Sequence, residues 1–262
     1  MDKIQKAADF LVDLRKSPRA VDAIPTEFRP ESLEQAYEIQ NALAKGLLSH
    51  FGGEQIGYKI ACTNKLAQEL LNVEAPFFGR LLSSSTYPSP ARLKANAITH
   101  RLIEAEFAFE LDADVPASSI PYTQDSIAVF VRSLLPAIEI VDWCYADWTT
   151  VGVESLVADN AVHGAWIRGK RYKNWREFDL SVHDVQLFVN GNITEKGSGA
   201  AVLGHPLNAL AWLANELPRH GLSLKTGDLV TTGVATNVYF AETGEKIQAG
   251  FGALGTVDLE LV

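Results

Sequence analysis

Between residues 101 and 111 the chain alternates, with Ile103, Ala105, Phe107, Phe109 and Leu111 apolar and Glu104 and Glu106 set between them. A period of two predicts a strand that turns its apolar set one way and holds the two carboxylates side by side on the other face. Residues 136–143 form a short apolar run that carries Glu139 and reads as a buried strand, with Asp142 on the opposite face from Glu139. Residues 55–63 give a third strand, in which Ile56, Tyr58, Ile60 and Cys62 share one face and Lys59 takes the other. Asn190-Gly191 between two alternating runs predicts a hairpin over residues 185–193. Further strands are expected at residues 161–168, which include His163, at the end of residues 222–233, and at residues 250–261.

Helical spacing marks other stretches. Ile4, Ala7, Ala8, Leu11 and Leu14 predict a helix over residues 2–16, ended before Pro18. Ser32 and Gln35 suit a capping box for a helix with Leu33, Ala36, Tyr37, Gln40, Leu43 and Leu47 on its inner face, stopped by Gly52-Gly53. Shorter helices are expected over residues 65–71, capped by Thr63, over 123–134, within 147–160, and from Pro206 to Leu217. Residues 76–82 read as a loop leading into a short apolar segment, and the Ser- and Pro-rich residues 83–91 as a linker. The chain then divides into residues 1–82, an N-terminal helical portion with the lysine strand, and residues 83–262, a β-rich catalytic portion, joined as one continuous α+β unit.

Composition narrows the classes of function. A chain of 262 residues with 47% hydrophobic content can bury a large core. A net charge of −9 and the lack of basic runs argue against nucleic acid or an anionic membrane as the main partner, leaving a small molecule. Cys62 and Cys144 are too few for a disulfide scaffold, the first residues lack a signal-peptide pattern, and no apolar stretch reaches the roughly 18–20 residues of a membrane span. A cytoplasmic protein is expected.

Two glutamates on a strand can be a solvated face and nothing more. Glu139 changes the weighing, because a carboxylate left unpaired in a buried strand costs on the order of several kcal/mol. The nearest cations in sequence are Arg101 and Arg132, so a divalent ion shared by Glu104, Glu106 and Glu139 is the economical solution. Hard oxygen donors of this kind suit Mg2+ or Mn2+. Lys59 is either a solvated edge residue or a group reaching the same cavity. The polar, glycine-containing end at residues 231–236 can wrap a ligand, whereas a lone histidine such as His163 is more often a hydrogen-bonded core residue than a catalyst and is left unassigned, and Trp143, Tyr145 and Trp148 are given no role.

Taken in order, GYKIACTNK (57–65), IEAEFAF (103–109), PAIEIVD (136–142), Asp159-Asn-Ala161 and GHPLNALAWLAN (204–215) resemble the 2-keto-4-pentenoate hydratase and 4-oxalocrotonate decarboxylase branch of the fumarylacetoacetate hydrolase superfamily, over most of the chain. The resemblance implies a mixed β-roll-like fold with flanking helices, a divalent metal on Glu104, Glu106 and Glu139, Lys59 as the active-site lysine, and Thr236 near the substrate. It also implies a homo-oligomeric hydro-lyase of aromatic-compound catabolism that hydrates a 2-hydroxy-2,4-dienoate, a small 2-oxo acid in its keto form, to a 4-hydroxy-2-oxo acid. One departure stands out. Those hydratases carry an acid in a Pro-Asp-Phe/Tyr-Gly stretch, where this chain has Phe77 in PFFG (76–79). Sibling outcomes therefore stay open: a 2-oxo diacid decarboxylase, an acylpyruvate-type C–C hydrolase, for which no Glu–His pair is evident, or a catalytically silent, partner-binding homologue.

Overall fold

The computed structural model describes residues 2–262. Helices α1 (Lys3–Lys16) and α2 (Leu33–Phe51) come first, followed by β1 (Gln55–Ala61), α3 (Lys65–Leu71), β2 (Phe77–Leu82), β3 (Thr86–Pro88), β4 (Ala91–Leu93) and β5 (Leu102–Leu111). Next are α4 (Gln124–Ala128), β6 (Val131–Val141), α5 (Val153–Ala158), β7 (His163–Arg168), β8 (Asp184–Val189), β9 (Asn192–Ser198) and α6 (Pro206–Glu216). The chain ends with β10 (Leu229–Val234), β11 (Tyr239–Phe240), β12 (Lys246–Gly250) and β13 (Thr256–Leu261). Eight strands form the larger sheet, in the order β2-β1-β10-β5-β6-β7-β3 with β11 against β5, and five form a smaller one, β4-β13-β12-β8-β9. The fold is thus α+β with curled sheets and helices at the N-terminal side.

Strand alternation decides what each face of the large sheet meets. Tyr58, Ile60, Ile103, Phe107, Phe109, Ile138 and Ile140 bury one face against the smaller sheet and α6, making the main core. On the other face lie Lys59, Glu104, Glu106 and Glu139, between two apolar clusters. One joins Phe77, Leu102 and Val141 to residues of α1, α2 and α5; the other consists of Leu81, Ala108, Leu135, Ala137, Trp166 and Leu229. The charged residues are consequently flanked by apolar walls, with Lys59, Glu106 and Glu139 buried and Glu104 partly exposed.

The turn between α5 and β7 docks on β2. Asn160 Oδ1 accepts from the Arg80 amide at 2.7 Å and its Nδ2 donates to the Arg80 carbonyl at 2.9 Å, so a side-chain amide does the work of a neighbouring strand. Gly79 permits this approach, because a Cβ there would lie 2.4 Å from the Asn160 carbonyl oxygen. Replacing Asn160 with alanine leaves a buried donor and acceptor unpaired and is expected to cost about 3 kcal/mol, read as a lower urea midpoint with unchanged slope.

Several expected elements differ. Residues 131–134 are strand, not helix, because Val131 and Ser133 pair with Leu111 and Glu110 and bury Leu134; helix remains only at Gln124–Ala128. Residues 77–82 are strand β2, antiparallel to β1, in place of a loop. Residues 83–91 are no linker: β3 runs parallel to β7 in one sheet and β4, which begins at Ala91, runs parallel to β13 in the other, so the segment ties the sheets together. Asn64, not Thr63, caps α3, accepting from the Ala67 amide at 2.9 Å. The final strand begins at Thr256, and Lys246–Gly250 forms a separate strand antiparallel to it. Leu33 starts α2 from an exposed position instead of its inner face.

Candidate metal centre

The β5–β6 register places Glu104 directly opposite Glu139, with Glu106 two residues on along the same face, opposite Ala137. One carboxylate oxygen from each residue lies within 4.8 Å of the others. Glu106 and Glu139 are fully buried, and Glu104 is partly exposed, so the opening lies on its side. Lys59 reaches in from β1, its Nζ 3.3 Å from Glu139 Oε1 and donating to the Ala161 carbonyl at 2.9 Å. This resolves the two sequence readings of Lys59: its side chain is buried among the carboxylates.

Ala161 offers its carbonyl from a contorted turn. Asn160, Ala161 and Val162 all take left-handed φ, at 54°, 52° and 55°. Such backbone persists only where the surroundings over-determine it. Here Asn160 is fixed on Arg80, and Asp159 is fixed by Arg15 at 2.7 Å. The same Arg15 meets Asp142 at 3.2 Å, which keeps that acid away from the carboxylate cluster.

Each buried glutamate has one oxygen occupied and one free. Glu139 Oε1 takes Lys59 and His163, whose Nδ1 is 2.8 Å away; Glu106 Oε2 accepts from the Thr231 hydroxyl. Among the described residues, Glu139 Oε2 and Glu106 Oε1 have no hydrogen-bond partner. Burial opposes charge on Glu139, yet Lys59 and His163 together hold its carboxyl below the usual range. Burial also opposes charge on Lys59, but Glu139, Glu104 and Glu106 outweigh it and keep the ammonium charged. Burial, then repulsion from Glu139, pushes the Glu104 carboxyl up to about 7 and drives Glu106 well upward. With one ammonium against three carboxylates, full ionisation leaves two negative charges unmet. A divalent cation would supply that charge, and Glu106 Oε1 and Glu139 Oε2 are unpartnered, buried, hard oxygens within such a cluster, so the residues fit Mg2+ or Mn2+.

The cation that answers Glu139 is distant in sequence. Arg101 donates to the backbone carbonyls of Ala95, Ile98 and Ala241, and Arg132 pairs with Asp112. His163, left unassigned in the sequence, is a direct partner of Glu139, and Thr231, noted only as the first residue of the polar end 231–236, is a partner of Glu106. Thr236 lies just beyond Ala235, whose amide donates to the Ala105 carbonyl at 2.8 Å, and its hydroxyl donates to the Asn237 carbonyl at 2.7 Å. Phe77 stands opposite Ala61 and is buried with Leu102 and Val141, an apolar wall at the end of the site.

A family model described as fumarylacetoacetate (FAA) hydrolase C-terminal matches residues 142–262, a span that begins just after Glu139. The 2-hydroxyhexa-2,4-dienoate hydratase of Comamonas testosteroni is 32% identical over 98% of this chain and 97% of its own length. A 2-keto-4-pentenoate hydratase of Paraburkholderia phymatum is 33% identical over 98% and 96%, and a 4-oxalocrotonate decarboxylase of Pseudomonas putida 28% identical over 100% and 97%. Among solved structures, 4-oxalocrotonate decarboxylase from Pseudomonas putida G7, complexed with magnesium and adipate, superposes with a TM-score of 0.92 at 25% identity, covering 99% of this chain and 97% of that one.

Proposed function

The chain belongs to the fumarylacetoacetate hydrolase family, in the branch of the 2-keto-4-pentenoate hydratases and 4-oxalocrotonate decarboxylases, and on that premise we propose that it is a metal-dependent hydro-lyase converting a 2-hydroxy-2,4-dienoate to a 4-hydroxy-2-oxo acid. The buried carboxylate triad, with two free oxygens and an ammonium beside it, carries the assignment. Glu104, Glu106 and Glu139 hold the metal, Lys59 is the catalytic group and Thr236 borders the substrate. Bound there, Mg2+ or Mn2+ supplies a Lewis acid for the carboxylate and 2-oxygen of such a substrate.

The chain's own groups account for the proton movements. Tautomerising the dienol removes a proton from the 2-hydroxyl and delivers one to carbon 5. Lys59 is charged at the outset, so it is suited to give one proton and recover the other. Water then adds to carbon 4 of the unsaturated 2-oxo acid and a proton to carbon 3. The apolar walls, Phe77 and Leu102 at one end and Ala137 and Trp166 at the other, keep bulk water from screening the developing charge. The Glu139–His163 contact does not make a water-activating base, because the remaining imidazole nitrogen turns to Ser85 at 3.2 Å.

Phe77 and the fold match favour one second outcome, decarboxylation of a 2-oxo diacid at the same site. An ultraviolet assay separates the two. With Mn2+, 2-hydroxypenta-2,4-dienoate should lose its dienol absorbance and give 4-hydroxy-2-oxopentanoate, and a chelator should abolish the change. No turnover of the dienoate together with carbon dioxide release from a 2-oxo diacid would replace hydration with decarboxylation. Both cysteines are free thiols, which supports the cytoplasmic setting, and among the described residues no helix is long and apolar enough to cross a membrane.

A further inference from the structure

His163 reaches Glu139 through an irregularity in β7. Trp166 pairs with Glu139 across the sheet, and regular alternation from Trp166 would turn His163 to the opposite face. The register shifts between Ile140 and Val141, so that Val141 pairs with His163 and Gly164 is the extra residue. Gly164 has no space for a side chain: a Cβ would stand 2.6 Å from Asp142 Cβ. The bulge is what aims the imidazole at the carboxylate face, where His163 is 6% exposed and its Nδ1 is 2.8 Å from Glu139 Oε1.

A carboxylate oxygen accepts, so the 2.8 Å contact with Glu139 places the donated proton on Nδ1 and turns Nε2 to the Ser85 hydroxyl at 3.2 Å. The Leu82 carbonyl, 3.3 Å from the same hydroxyl, is the competing acceptor. Ser85 and His163 also line a cavity of about 330 Å3 between α1, α2 and the sheet, together with Arg15, Leu43 and Tyr87 but none of the three glutamates.

We propose that His163, fixed by Ser85, is a positioning residue that pins Glu139 Oε1 and so presents Oε2 alone to the metal. The inference rests on the metal-binding reading above. Lys59 also touches Oε1, but at 3.3 Å and shared with Ala161, so it cannot set the carboxylate plane as the 2.8 Å imidazole contact does. Partners of this kind commonly govern metal affinity by about 10- to 100-fold.

The test uses Mn2+ titration of the metal-free protein by calorimetry, with thermal melts of each metal-free variant alongside. In His163→Asn the amide nitrogen occupies the place of Nδ1, whereas in His163→Gln it falls near Nε2, toward Ser85. The asparagine variant should bind Mn2+ nearly as the wild type does, and the glutamine and phenylalanine variants about 10- to 100-fold more weakly. Equal affinity in wild type, H163Q and H163F, with only the melting temperature changed, would reduce His163 to a packing residue and overturn the proposal; so would equal losses in H163N and H163Q. If H163F does not fold, the H163N and H163Q pair still decides. Wild type that binds no Mn2+ would instead overturn the metal centre itself.

Discussion

Lys59→Met is expected to lower turnover by about 10²–10⁴-fold, the usual worth of one positioned acid–base group, while Mn2+ still binds. Methionine preserves much of the length of the side chain and suits its buried place, so the change isolates the ammonium. That group lies 3.3 Å from Glu139 and has its charge sustained by all three glutamates, which makes it the one proton donor aimed into the carboxylate cluster from β1. Its loss leaves Glu139 Oε1 with His163 alone, and the metal's charge offsets the missing cation. Arginine is not a rescue. The Ala161 carbonyl already sits 2.9 Å from the lysine nitrogen, and the turn carrying it is locked over Gly79, so a planar fork has no room. Initial rates with the dienoate and a parallel Mn2+ titration make the measurement; a rate within tenfold of wild type would remove the lysine from the chemistry.

What could be read in the chain, and what could not, follows from the range of the physical signal. Alternation is local, so the placement of Glu104 and Glu106 on one face of β5 and of Lys59 on the lesser face of β1 was visible in single stretches. Burial of Glu139 followed from its apolar run. Their pairwise contacts were less legible, because each comes from pairings distant in sequence: Lys59, one of whose two readings placed it in the cavity, through β1–β10–β5, and Thr231, noted only within the polar end 231–236, through β10. His163 is a sharper case, since uninterrupted alternation from Trp166 puts it on the wrong face and only the bulge at Gly164 brings it round. Residues 131–134 failed for a related reason, their local spacing being overruled by pairing with β5. The Asn160–Val162 turn gave no warning either, for only Asn160 is a residue that favours left-handed backbone and its two successors are not.

Glu106→Gln should abolish Mn2+ binding and turnover together, yet leave the metal-free protein at least as stable as metal-free wild type. The two halves have one cause. In wild type without metal, Glu106 is fully buried with one oxygen unpartnered, and burial together with Glu139 and Glu104 opposes its charge. Folding must therefore either confine that charge or hold a proton on it, and glutamine, of the same shape, requires neither. Thr231 can still donate to the amide oxygen, which turns the amide NH2 toward the place of Glu106 Oε1, where a cation would meet a donor in place of an acceptor. For wild type, Mn2+ at about 100 times its Kd should add roughly 2.7 kcal/mol, or about 5–10 °C in melting temperature for a chain of this size. The variant should show no such rise. A metal-induced rise that survives in E106Q would move the ion away from Glu106, and a metal-free melting temperature well below wild type would mean that the glutamate is held by partners instead of waiting for a cation.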